Sequence, residues 1–252
     1  AAAGECLVWG DPHIQTFDHS RADFLGQGEA WLVRSEQIYV QARYKATPWT
    51  NGLAATDAIA IGGPFLQGHI LKIGAMETGQ ILWDDAPICT EFPSVFNAPG
   101  FGTVNYDDNG DLVDAAQGHL QRHIVHIALP MSLHVQVMRW SHHINVRIRM
   151  LPQPGQDGHC GNFNSRPQDD DNEQIRARVG LSVPRDKLLF KTYIHAQDGL
   201  HLTLADCKGR DRTDAEAKCR AARPGIAGVD LNTCVFDVCF VGQRYAAQDV
   251  VY

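Results

Sequence analysis

Long hydrophobic runs are missing from this chain. No apolar stretch reaches the roughly 18 to 20 residues that a helix needs to cross a bilayer, so no segment reads as a membrane span. Runs of lysine or arginine are missing as well, and the formal charge is -7. Phosphate backbones and anionic lipid surfaces are held by clustered cations, so nucleic acid is excluded as a partner. The seven cysteines include no Cys-x-x-Cys pair and have no histidine at zinc-finger spacing, which argues against metal binding by thiolates. His-Glu-x-x-His and Gly-x-Ser-x-Gly are both absent, leaving zinc-protease and α/β-hydrolase chemistry without support. An Asn-x-Ser/Thr acceptor is absent too; Asn232-Thr233-Cys234 is only a rare variant of a glycoprotein's glycosylation site.

The residues present fit an extracellular, secreted protein. The chain has 252 residues and is 44% hydrophobic, enough for one large all-β domain or two ordinary ones. Cysteines stand at 6, 89, 160, 207, 219, 234 and 239, four of them within the last 46 residues. That crowding marks a small segment whose core is thin and which needs staples, and hence an oxidising compartment. The odd count leaves one thiol free or bonded to another chain. Ala1 to Glu5 has neither a basic nor an apolar leader region, so a signal peptide is expected to be absent or already removed.

From Cys6 to Met150 the pattern predicts short strands separated by turns. Ala30–Val33, Ile38–Tyr44, Ile70–Ile73 and Ile81–Trp83 are rich in β-branched and aromatic residues. Leu133–Trp140 and Ile144–Met150 alternate apolar with polar residues, as half-buried strands do. Asn51-Gly52 and Asn109-Gly110 suit tight hairpins, and Trp31, Trp83 and Trp140 are expected to fill the core. An antiparallel β-sandwich or barrel follows. Pro152 to Gly161 is rich in breakers, and Gln168 to Asn172 is a dense acidic loop. Beyond it, Thr213-Asp214-Ala215-Glu216 fits the capping box of a helix, and Leu231–Phe240 fits a second helix tied by Cys234 and Cys239. The expected division is a β domain over 1–200 and a disulfide-stapled helical segment over 201–252.

Two distant motifs carry a resemblance. The first runs Cys6-Leu7-Val8-Trp9-Gly10-Asp11-Pro12-His13-Ile14-Gln15-Thr16-Phe17-Asp18; the second is Cys160-Gly161-Asn162-Phe163-Asn164 followed by Asp169 and Asp170. Together they resemble the opening and closing signatures of von Willebrand factor type D domains. Gly26–Val33 resembles an early strand of that family, and the tail resembles, over a shorter stretch, its cysteine-rich C8 segment through Cys219, Cys234 and Cys239. The resemblance implies three bridges: Cys6 with Cys160, Cys207 with Cys239, and Cys219 with Cys234. Cys89 is then unpaired or inter-chain. Ala30 and Asp157 stand where the family usually carries cysteine, so its inter-chain linkage does not transfer.

Calcium, Ca2+, is the expected cofactor. This ion takes six to eight oxygens, often from Asp, Asn and carbonyl groups of one turn, and Asn162, Asn164, Asp169 and Asp170 offer them within nine positions. The resemblance adds Asp18 and implies that the metal clamps the first and last strands. A solvated acidic loop is the other reading of the same residues. At Asp11-Pro12-His13 the resemblance implies two possibilities, since some relatives cleave their own Asp-Pro bond while others keep it within a tight turn. Six histidines at 119, 123, 126, 134, 142 and 143 are read as ordinary half-exposed strand residues, because His123 and His126 fall on opposite strand faces. Asp107 to Asp111 fails as an EF-hand, since Ala116 stands where the bidentate Glu belongs.

The resemblance thus implies a calcium-binding structural or adhesive module of an extracellular matrix, filament or multidomain glycoprotein. Its expected partners are other extracellular domains or copies of itself. A secreted oxidative enzyme of luciferase type and a lipid-carrier accessory domain are the alternatives.

Overall fold

A computed structural model describes residues 1–47, 50, 53–108, 123–194 and 202–241. The turns expected at Asn51-Gly52 and Asn109-Gly110, His119 and the expected domain boundary near 200 lie outside these residues.

Among the described residues the chain is mainly β, in two antiparallel sheets, with helices near its C-terminal end. The first three strands, β1 (Gly4–Trp9), β2 (His13–Gln15) and β3 (Arg21–Asp23), form a short meander. The next six, β4 (Gly28–Arg34), β5 (Tyr39–Ala46), β6 (Ala54–Gly62), β7 (Leu71–Gly74), β8 (Ile81–Trp83) and β9 (Ala86–Pro87), make the second sheet in sequence order. The last five are β10 (Ser94–Ala98), β11 (Gly102–Asp107), β12 (Ile124–Leu129), β13 (Leu133–Arg139) and β14 (Ile144–Met150). They continue the first sheet, whose order is β10-β11-β12-β13-β14-β1-β2-β3. Strand β1 therefore pairs with β14, with Cys6 opposite Ile148 and Val8 opposite Val146.

Alternation explains these strands. In β13, Leu133, Val135 and Val137 are buried while His134 is exposed, and in β14 Ile144, Val146 and Ile148 join them in one core. That core also receives Leu32, Val40, Ile59, Ile61, Leu71 and Ile73 from the second sheet. Arg139 ties the sheets together: its guanidinium donates to the carbonyls of Gly74, Ala75 and Gly79 and to the Tyr106 hydroxyl. The breaker-rich stretch covers the free edge of β4. Asp157 and Arg34 exchange backbone hydrogen bonds, and His159 and Cys160 donate to Trp31 and Leu32.

The expected core positions need three corrections. Trp31 is buried, but Trp83 and Trp140 are only half-buried, because they lie at the margins of their strands. His143 is buried rather than half-exposed, stacked over Trp140 at a centroid separation of 5.9 Å.

Three helices follow. Helix α1 (Asn172–Val179) begins inside the acidic loop, where Asp171 and Gln174 form a reciprocal capping box. It buries Ile175 and Val179, one turn apart on one face. Helix α2 (Gly209–Ala222) starts a turn earlier than its expected cap. Thr213 lies within it and donates its hydroxyl to the Gly209 carbonyl, so Thr213 to Glu216 is not a capping box here. Helix α3 (Gly228–Phe240) is buried on two sides. Cys234, Val235 and Val238 pack on α2, while Phe236 packs against Leu53 and Leu25 of the β-rich part.

Candidate functional site

Two clusters of polar side chains form around the β1–β2–β3 meander, one at each end. The first lies at the β2–β3 turn. Phe17 donates its backbone N–H to the Cys160 carbonyl at 3.0 Å, and its ring stacks on Phe163 at 4.7 Å. This docking sets Asp18 against the loop after Cys160. Asp18 Oδ2 accepts from the Asn164 backbone N–H and Oδ1 from that of Ser165, each at 2.9 Å. Asn164 N–H also reaches Asn162 Oδ1 at 3.3 Å, and Asn164 Nδ2 donates to Asp169 Oδ2 at 2.8 Å. The Asn162 backbone N–H donates to Asp170 Oδ1 at 3.4 Å, so that all five oxygen-bearing residues singled out in the sequence join one network.

Asp170 anchors the network from below. It is fully buried, its Oδ1 accepts from Arg178 Nη2 at 2.7 Å, and its Oδ2 accepts no hydrogen bond among the described residues. Burial pushes its carboxyl upward, against the pull of Arg178. Hydrogen bonding from Asn164 instead holds Asp169 below the usual carboxylate range. Gly161 has φ 83°, and a Cβ there would lie 2.2 Å from Asp170 Oδ2, so only glycine lets the backbone pass. An orphaned buried oxygen, flanked by Asn and Asp side chains in one loop, fits an oxygen-seeking cation such as calcium.

Disulfides hold this seam. Cys6 on β1 is bonded to Cys160, 154 residues away. Two more bridges, Cys207–Cys239 and Cys219–Cys234, staple the tail. The remaining cysteine, Cys89, carries a free thiol, half-buried, whose Sγ donates to the Val104 carbonyl at 3.7 Å. Asp157, at one of the positions where a further cysteine was expected, accepts from Arg178 Nε at 2.8 Å.

The second cluster lies at the β1–β2 turn, where Gly10, Asp11 and Pro12 connect Trp9 to His13. Gly10 takes φ 62° and donates its N–H to Asn145 Oδ1. Strand pairing places His13 opposite Asp23, and Nδ1 meets Asp23 Oδ1 at 2.5 Å. Its other nitrogen, Nε2, lies 2.7 Å from Asp237 Oδ1, contributed by α3 across 224 positions of sequence. Asp11 is fully buried beside them. Burial pushes its carboxyl up to about 6, while Asp237 and His13 pull it down. Burial likewise disfavours the Asp23 carboxylate, but its hydrogen bond to His13 and the charges of His13 and Arg21 hold it below its ordinary value.

Sequence reasoning flagged Asp11, Pro12 and His13 but missed Asp23 and Asp237. Self-cleavage at Asp11-Pro12 needs an imidazole available to shuttle a proton, and here both ring nitrogens of His13 are engaged by carboxylates. No local signal marks Asp237, which stands between Cys234 and Cys239 on a helix whose buried face the sequence alone does not fix.

The tail meets the β-rich part through this cluster, through Arg21 and Asp230 at 2.9 Å, and through a cleft of about 410 Å³ lined by His13, Asp23, Leu25, Leu202 and Phe236. No helix among the described residues is long and apolar enough to cross a membrane. The chain matches no protein-family model and no curated protein sequence.

Proposed function

We propose that this chain is a secreted, calcium-binding structural module of the von Willebrand factor type D kind, which presents a rigid surface to other extracellular domains or to copies of itself. The observation that carries this reading is the single hydrogen-bond network that joins Asp18, Asn162, Asn164, Asp169 and Asp170, in which the buried Asp170 Oδ2 accepts no hydrogen bond among the described residues. Calcium would supply the positive charge that these oxygens lack. The loop residues supply the geometry: backbone N–H groups of Asn164 and Ser165 fix the Asp18 carboxylate, and Arg178 neutralises the far oxygen of Asp170.

Such an ion would join the β2–β3 turn to the loop that Cys160 already ties to β1. Two independent restraints on one seam suit a load-bearing module. Three disulfides support the extracellular setting.

Thermal melting of the full chain with calcium and after chelation tests the proposal. At a free calcium concentration of 100 times Kd, binding to the folded state contributes about 2.7 kcal/mol, which raises the midpoint by several degrees. Asp18→Asn is expected to abolish that response. A wild-type melt that is indifferent to calcium, or a response that survives in Asp18→Asn, overturns the proposal.

A further inference from the structure

The cluster at the β1–β2 turn is chemically unlike the oxygen loop. It brings together one imidazole and two carboxylates, Asp11, His13 and Asp237, whose ligand atoms lie within 4.8 Å of one another. All three are buried, with Asp11 and Asp237 at 0% exposure and His13 at 4%. Neither carboxylate oxygen of Asp11 accepts a hydrogen bond from a donor among the described residues. Its neighbour Asp237 is another carboxyl group, so the pair can form a hydrogen bond only by holding a proton between them, and when both are ionised they repel. Isolating a carboxylate from water without a partner costs several kcal/mol, so this group calls for a positive charge.

Asp23 supplies what a metal-bound histidine needs behind it. With Nδ1–H donated to Asp23 Oδ1 at 2.5 Å, the neutral tautomer of His13 turns its Nε2 lone pair toward Asp11 and Asp237. Nε2 and Asp237 Oδ1 are 2.7 Å apart. Tetrahedral ligands at zinc bond lengths sit roughly 3.3 Å apart, so the pair need open by only about 0.6 Å. A nitrogen ligand with two carboxylates suits a borderline first-row cation and disfavours calcium, which prefers an all-oxygen shell. The cleft lined by His13 and Asp23 gives a way in.

We infer that Asp11, His13 and Asp237 form a binding site for a first-row divalent transition cation, zinc in the first instance, with Asp23 as the positioning residue for His13. The ion would pin helix α3 to the Gly10–Pro12 turn, joining the stapled tail to the β-rich part by coordination. It would also occupy the Asp11 carboxylate and the His13 imidazole beside the Asp11–Pro12 bond. The site is separate from the calcium loop and independent of it.

The test uses the full chain, stripped by chelator and returned to saturating calcium so that the oxygen loop is filled, on a Cys89→Ser background that removes the free thiol. Zinc is titrated by calorimetry, and cobalt uptake is followed by its visible absorption. The expected result is one equivalent of tight binding that Asp237→Asn and His13→Gln abolish and Asp18→Asn leaves unchanged. Asp23→Asn, which alters only the positioning hydrogen bond, is expected to weaken binding about 10- to 100-fold. Zinc-edge X-ray absorption on the wild-type chain is expected to show a nitrogen and oxygen shell with a single imidazole, a readout that does not depend on how the variants fold. Absence of stoichiometric uptake by the wild-type chain, uptake that persists in Asp237→Asn, or a shell containing sulfur or several imidazoles overturns the inference.

Discussion

Acid should destabilise this protein through one residue far from any solvent. His159 is 4% exposed, its ring stacks on Phe24 at a centroid distance of 3.5 Å, and its Nδ1 lies 2.8 Å from the Tyr44 hydroxyl. Burial, reinforced by the charge of Arg176, pulls its pKa down to about 3 from 6.5. Burial also raises the Tyr44 hydroxyl, so the phenol stays protonated and serves as the donor. Because the folded pKa lies below the unfolded one, the unfolded chain takes up the proton first. The contribution of neutral His159 is complete above pH 6.5 and is lost as the pH falls from 6.5 toward 3, in total on the order of 5 kcal/mol. Between pH 7 and pH 4.5 the same linkage removes about 2.5 kcal/mol.

The perturbation is His159→Gln, which carries no titrating group and keeps an oxygen for Tyr44. At pH 7 the variant is expected to be less stable by about 2 kcal/mol, since the stacked ring is gone. Its further loss between pH 7 and pH 4.5, measured by urea unfolding with disulfides intact, should be smaller than the wild-type loss by about 2.5 kcal/mol. Comparing the two proteins cancels the other acids, which titrate in both. Parallel stability curves for variant and wild type would refute the reasoning, as would an NMR titration in which the His159 ring protonates above pH 5.

Replacing Arg139 by leucine should cost about 3 kcal/mol or more in urea unfolding, because it strands the carbonyls of Gly74, Ala75 and Gly79 at the join between the sheets. Gly161→Ala sets a methyl group against Asp170 Oδ2 in a left-handed backbone; a loss of about 1 to 3 kcal/mol in urea unfolding is expected, and under the proposed calcium reading a smaller calcium response as well. Burial raises the Cys89 thiol above its ordinary value, so an aromatic disulfide reagent at pH 7.5 should label the native chain more slowly than the denatured one; equal rates would show an exposed thiolate.

The strands were legible because burial alternates along them. Leu133–Arg139 and Ile144–Met150 announce a period of two, and the structure buries every residue of one face while the other is exposed or half-buried except at Met138 and Asn145. The oxygen loop was legible as a set of residues, since Asn162 to Asp170 is dense enough in Asp and Asn to be read without a fold. Helix α1 was hidden by its charge. Only Ile175 and Val179 mark its buried face, and its cap, Asp171, looks like one more acid in an acidic run. Helix α2 showed the opposite failure: a capping-box pattern recurred in mid-helix, where hydrogen bonding to the preceding turn, not a cap, occupies Thr213. The His13 cluster was beyond reach for a different reason. Its members come from the β1–β2 turn, β3 and α3, and no local pattern reports which distant acid will meet a given histidine.

The bridge between Cys6 and Cys160 decides how the molecule responds to being pulled. A force applied to residues before Cys6 and to the tail has its covalent path directly across that bond, so the 154-residue span it encloses cannot be drawn out as chain length. Fully extended, that span would be roughly 500 Å long. None of that length can be released while the bond holds, and the covalent load runs through the loop after Cys160 and helices α1 to α3. In a tethered chain the sandwich would therefore add no length under tension, and extension would have to come from the segments after Cys160 alone.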